Sequence, residues 1–138
     1  MSDELCFIID GQKLYMDQIL VDYDNIPIFY LCKSGKEFYL VLCADLEEER
    51  YIIVKPSCEE ILDMLCGKIT MRDTMIVQSF FWEVFAKEEW INDIVVKKDI
   101  CQMPCDVLPY EGVYFKAVTP QIQEYIQKRK QMIPADAL

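Results

Sequence analysis

The sequence predicts an α+β fold: a mainly antiparallel sheet, begun as an N-terminal meander and packed by two or three helices that include a C-terminal one. Three observations carry this. β-Branched and aromatic runs at Ile26 to Cys32 and Phe38 to Cys43 flank Lys33-Ser34-Gly35-Lys36, a compact turn with Gly at the permissive position. Ser57 with Glu60 three residues later forms a capping box ahead of an apolar stripe. Thr119-Pro120 opens a second helix with an N-cap and a proline at the first helical position.

Taken in order, Leu5 to Ile9 is a short strand ended by the turn pair Asp10-Gly11, and Leu14 to Val21 leads to a turn at Asp24-Asn25. That second stretch reads as strand, with helix as the alternative. After the central hairpin, the acidic turn Asp45 to Glu49 leads into Tyr51 to Val54, a further strand of the meander. The helix begun at Ser57 puts Ile61, Leu62, Leu65 and Cys66 on one face and stops at Gly67. Thr70 and Asp73 cap a short helical turn toward Val77. Phe80 to Phe85 fits a strand covered on both faces, returned by Ile94 to Lys97, although Ile76, Phe80 and Val84 also repeat at helical spacing. Asp99 to Gly112 is an irregular connection, Val113 to Val118 reads as a final strand, and Ile122, Tyr125 and Ile126 line the last helix. Lys128, Arg129 and Lys130 then oppose the dipole at its end.

The chain of 138 residues has the length of one domain, spanning residues 1–138, and its 53% hydrophobic content supplies the core. No apolar run reaches the roughly 18 to 20 residues that span a bilayer, and Met1-Ser2-Asp3-Glu4 is acidic where a signal peptide is basic, so a cytoplasmic protein without membrane contact is expected. The seven cysteines are odd in number and scattered, which fits reduced, buried small hydrophobes. A net charge of -10 disfavours any nucleic-acid backbone and would steer the chain toward a basic partner.

Catalytic chemistry is short of residues. The sequence has no His, which removes the commonest general acid-base and the Ser/His and Cys/His pairs. It has neither a phosphate-binding loop nor a dinucleotide fingerprint. Cys101 and Cys105 have three residues between them, which matches neither a redox motif nor half of a zinc site, and both thiols are expected beneath an irregular loop. The acidic runs fall in turns or at a helix start, where solvation and the helix dipole explain them, rather than in a cleft with carboxylates about 5 to 9.5 Å apart. No catalytic residue, metal or cofactor is therefore expected. The candidate partner-binding residues are Glu47, Glu48 and Glu49, the acidic pair Glu88 and Glu89 with Trp90 after it, and Tyr110; carboxylates would meet a basic partner, and Trp and Tyr are enriched among binding hot spots.

Tyr23-Asp24 with Pro27, Gly35 with Tyr39-Leu40, Lys68-Ile69 before Arg72-Asp73, and Leu108-Pro109 with Gly112-Val113-Tyr114 follow one another in an order that resembles a family of small, functionally uncharacterised bacterial domains. The resemblance covers most of the chain and implies a shared fold and a bacterial origin, with no active residue carried over. The expected function is a non-enzymatic protein-binding module, in its sharpest form an immunity protein that neutralises a basic toxin. The alternative is a small-molecule-binding or accessory enzyme domain in which Phe80, Phe81, Trp82 and Phe85 line a pocket. Self-association as a homodimer through an exposed apolar sheet face fits either.

Overall fold

Seven strands form one antiparallel sheet in sequence order in the computed structural model, which describes residues 4–86 and 94–132. They are β1 (Leu5–Ile9), β2 (Gln12–Tyr23), β3 (Ile26–Ser34), β4 (Glu37–Asp45), β5 (Arg50–Val54), β6 (Phe80–Phe85) and β7 (Ile94–Asp99). Three helices, α1 (Cys58–Leu65), α2 (Met71–Ile76) and α3 (Pro120–Met132), complete an α+β chain. Both undecided segments, Leu14 to Val21 and Phe80 to Phe85, are strands.

The chain divides into two units: Met1–Lys55 with Gln78–Leu108, which holds every described strand, and Pro56–Val77 with Pro109–Leu138, which holds the three helices. In the helical unit the expected caps are formed. Ser57 Oγ accepts from Glu60 N at 3.1 Å while Glu60 Oε1 accepts from Ser57 N at 2.8 Å; Thr70 Oγ1 and Thr119 Oγ1 cap α2 and α3 by accepting from Asp73 N at 3.0 Å and Ile122 N at 3.2 Å. Ile61, Met64 and Leu65 are buried on α1. Arg72 Nη1 donates to the Pro109 carbonyl at 3.0 Å and Met71 N to the Val113 carbonyl at 3.3 Å, so backbone near these residues is held to α2.

Two expectations in this unit are corrected. Val113 to Val118 is irregular rather than a strand, because no described strand of its unit offers a ladder and, from Val113 to Val118, only Phe115 is buried. β-Propensity without a partner strand is not enough. Arg129 is 3% exposed and continues the buried stripe of Ile122 and Ile126, with Nη1 donating to Tyr125 Oη at 3.0 Å, so its place is set by packing as well as by the helix dipole. Among the described residues no helix is long and apolar enough to cross a membrane.

In the sheet unit the period-two alternation sorts side chains onto two faces. Phe7, Ile9, Tyr30, Cys32, Tyr39, Val41, Ile53, Trp82 and Val84 share the inner core, and Leu31, Leu40, Ile52, Val54 and Phe81, also buried, lie on the other face. Burying each such side chain contributes about 1.5–3 kcal/mol. The sheet curls strongly, bringing β1 and its turn against β4, β5 and β6. The Phe7 and Tyr51 rings meet edge-on at 5.1 Å, Trp82 Nε1 donates to Asp10 Oδ2 at 3.3 Å, and Tyr39 Oη donates to Gln12 Oε1 at 2.9 Å. Register breaks supply the curvature. The β1–β2 ladder shifts between Leu5 and Phe7, and the β2–β3 ladder shifts three times between Met16 and Asp22, each bulge adding local twist.

Candidate functional site

The curl closes tightly at one end of the inner face and leaves a cleft of 540 Å³ at the other. β1 forms one wall from Glu4 to Phe7. Met16, Ile19, Ile26, Pro27 and Tyr30 of the β2–β3 hairpin form a second, and Tyr51 with Ala86, at the β5 and β6 ends, forms the third. Local sequence explains the shape. The turn Asp24-Asn25, with both residues at positive φ (51° and 65°), lets an unusually long hairpin reverse, and the bulges along β2 bend it away from β1. Ile19, Val21, Tyr23 and Ile26 are exposed along the outer half of this hairpin, Tyr23 at 69%, next to Asp22 and Asp24. Ile19 and Ile26, both lining the cleft and exposed, thus carry its apolar surface out to the mouth, while Val21 pairs with Phe29 on the opposite face.

The electrostatics are one-sided. Among the described residues Glu4 is the single charged one lining the cleft, and none of those lining it is cationic. The acidic turn lies close by: Asp45 Oδ1 accepts from the Glu47 and Glu48 amides at 3.0 and 3.2 Å, and Ala86 N donates to the Glu49 carbonyl at 2.9 Å. The backbone of this turn is therefore held to the Ala86 end of the cleft, and the side chains of Glu47, Glu48 and Glu49 are all exposed. Burial pushes the Tyr30 phenol far above its ordinary range, so this tyrosine stays neutral at any physiological pH.

The other sequence candidates lie elsewhere. Tyr110 is 85% exposed, but in the helical unit. Glu88, Glu89 and Trp90 fall outside the described residues. The aromatic run does not line this cleft: alternation sends Trp82, with Phe80 against it at 5.0 Å, into the closed end of the inner face, while Phe81 and Phe85 point to the opposite face. Cys58, Cys66, Cys101 and Cys105 are exposed rather than buried, because they lie at helix ends or in short 3-10 turns and not on a core face; only Cys32 and Cys43 are buried, with Cys6 half-buried at the cleft.

Glu83 was not singled out by sequence reasoning, yet it is the one buried carboxylate among the described residues. Arg50 Nε donates to its Oε2 at 2.8 Å and Lys98 Nζ to its Oε1 at 2.6 Å. Burial acts to raise the carboxyl pKa, but the hydrogen bonds from Lys98 and Arg50 together with their charges outweigh it and hold Glu83 below the usual carboxylate range. Arg50 precedes the cleft residue Tyr51 on the same strand, so this triad lies on the face away from the cleft and stays an ionised structural group. Its only sequence signal was a lone acid inside an aromatic strand.

Comparison of the chain with known protein families, with curated proteins and with solved structures finds no match.

Proposed function

We propose that this chain is a non-enzymatic protein-binding module whose cleft and outer β2–β3 hairpin receive an apolar segment of a basic protein. The observation that carries the reading is the charge pattern around an apolar site: the hairpin exposes Ile19, Val21, Tyr23 and Ile26, Glu4 lines the cleft, the Glu47 to Glu49 turn stands beside it, and among the described residues no cationic side chain lines it. Such a surface favours a partner that presents an apolar anchor flanked by Lys or Arg, and rejects an anionic one. An immunity protein that masks a basic toxin is the sharpest form of this reading. Tyr110 offers a separate exposed anchor on the helical unit.

Capture from native lysate by the wild-type chain and by the Ile19→Asp/Ile26→Asp double variant tests it. The reading expects a basic protein that binds the wild type, dissociates as salt rises, and loses at least tenfold in retention on the variant. An identical set of captured proteins on both chains would refute it. The volume of 540 Å³ also lies in the range that holds small ligands, which supports a small-molecule-binding module as a second reading. A metabolite retained in native mass spectrometry, with no protein captured, would favour that one.

A further inference from the structure

The two edges of the sheet are defended differently. β1 and β7 are its outermost strands, each with a single neighbour, and natural edges are commonly blunted with charge or proline because their free backbone groups invite another chain. β7 ends in Lys97-Lys98-Asp99. β1, Leu5-Cys6-Phe7-Ile8-Ile9, has neither charge nor proline, and its Ile8 is 37% exposed. Its one protective device is the bulge at Cys6.

The turn after β1 fixes which of its backbone groups are free. Asp10 and Gly11, both at positive φ (51° and 80°), make a two-residue hairpin loop, so the closing pair Ile9 and Gln12 exchanges both backbone hydrogen bonds. Alternation then turns the N–H and C=O of Phe7 toward β2 and those of Ile8 away from it. Past the bulge the Glu4 carbonyl accepts from Met16 N at 2.8 Å, which puts Leu5 with Ile8 among the outward-facing residues. Outside the β1–β2 ladder, no backbone hydrogen bond reaches Leu5 or Ile8 among the described residues. The same strand is the cleft wall from Glu4 to Phe7.

We propose that the basic partner binds by strand addition, its apolar segment extended along the free edge of β1. The inference rests on the reading that the cleft receives such a segment, and gives that segment a conformation. A strand laid there pairs with Leu5 and Ile8 and turns alternate side chains to the face that carries Phe7, which is the cleft side. Acidic residues stand at both ends of the edge, Glu4 before it and Asp10 after it, and suit Lys or Arg flanking the apolar run. β7, with its two lysines, does not suit a basic segment.

Ile8→Pro tests the proposal. It deletes an N–H that faces away from β2, where an edge strand tolerates proline, so the midpoint of thermal unfolding should move by no more than about 4 °C. Retention of the basic protein that the wild type captures should nevertheless fall about tenfold or more. Amide exchange in the wild-type chain decides the matter even where the variant fails to fold. In the free chain the Ile8 amide should exchange about a hundredfold faster than those of Phe7 and Ile9, and in the complex it should slow about tenfold or more. A folded Ile8→Pro chain that keeps the partner, or an Ile8 amide that exchanges equally fast in the complex, would overturn strand addition and leave the partner reading standing. A captured protein that proves to be a second copy of this chain would overturn the assigned occupant. Capture of no protein by the wild type refutes the partner reading itself and this binding mode with it.

Discussion

The two ends of the inner sheet face are built from similar residues and finished differently. At the closed end, Tyr39, Trp82 and Phe80 form an aromatic row with ring separations of 5.8 and 5.0 Å, Lys97 Nζ lies 4.0 Å over the Phe80 ring, and the β1–β2 turn supplies Asp10 and Gln12 to the indole N–H and the phenol. At the open end, Phe7, Tyr30 and Tyr51 surround space instead of filling it. The strands at the closed end are in regular register, whereas the open end is edged by the bulges of β1 and β2. Aromatic density makes core where ladders are regular. Bulges decide where a cleft remains.

Trp82→Ala should produce the largest change, about 3–5 kcal/mol of lost stability in urea unfolding, since it removes a large core ring and leaves Asp10 without the indole donor. A loss under about 1 kcal/mol would mean that the closed end is not packed as described.

Glu83→Gln should come next. It removes one member of a buried ion triad, but the Arg50 and Lys98 side chains remain 24% and 34% exposed and can reach water, so a cost near the low side, about 2 kcal/mol, is expected. The pH dependence carries its own sign. Because the folded-state pKa of Glu83 is depressed, its contribution is present above the unfolded value of about 4.3 and is lost as pH falls through the folded value. Between about pH 5 and 3 the wild type should therefore lose more stability than the variant. Parallel pH curves for the two would remove Glu83 from the account.

At the open end the effects on stability should shrink. Tyr51→Leu keeps apolar bulk while deleting the edge-on contact with Phe7, for an expected loss of about 1 kcal/mol. Ile26→Asp should change stability by no more than about 0.5 kcal/mol, because the side chain is already exposed, while abolishing capture of the proposed partner. A large destabilisation by Ile26→Asp would place this residue with the core and erase the distinction between the two ends.

Local order along the chain was legible from residue chemistry. The Asp10-Gly11 turn, the hairpin around Gly35, the Ser57–Glu60 box and the Thr119-Pro120 start each rest on contacts within a few residues, and all are present in the structure. Val113 to Val118 shows the limit, since strand-forming residues stayed irregular without a ladder to join.

The sequence by itself determined the α+β class, the N-terminal meander, the helix starts and the strong negative charge, because these depend on periodicity, capping and composition. Only the tertiary structure decided that Phe81 and Trp82 fill opposite faces of one sheet, that Arg50 and Lys98 converge on Glu83, and that the Glu47 to Glu49 turn stands beside the cleft. Each of these depends on register and on where bulges bend a strand. A shift of one residue exchanges the two faces, so no local pattern could specify them.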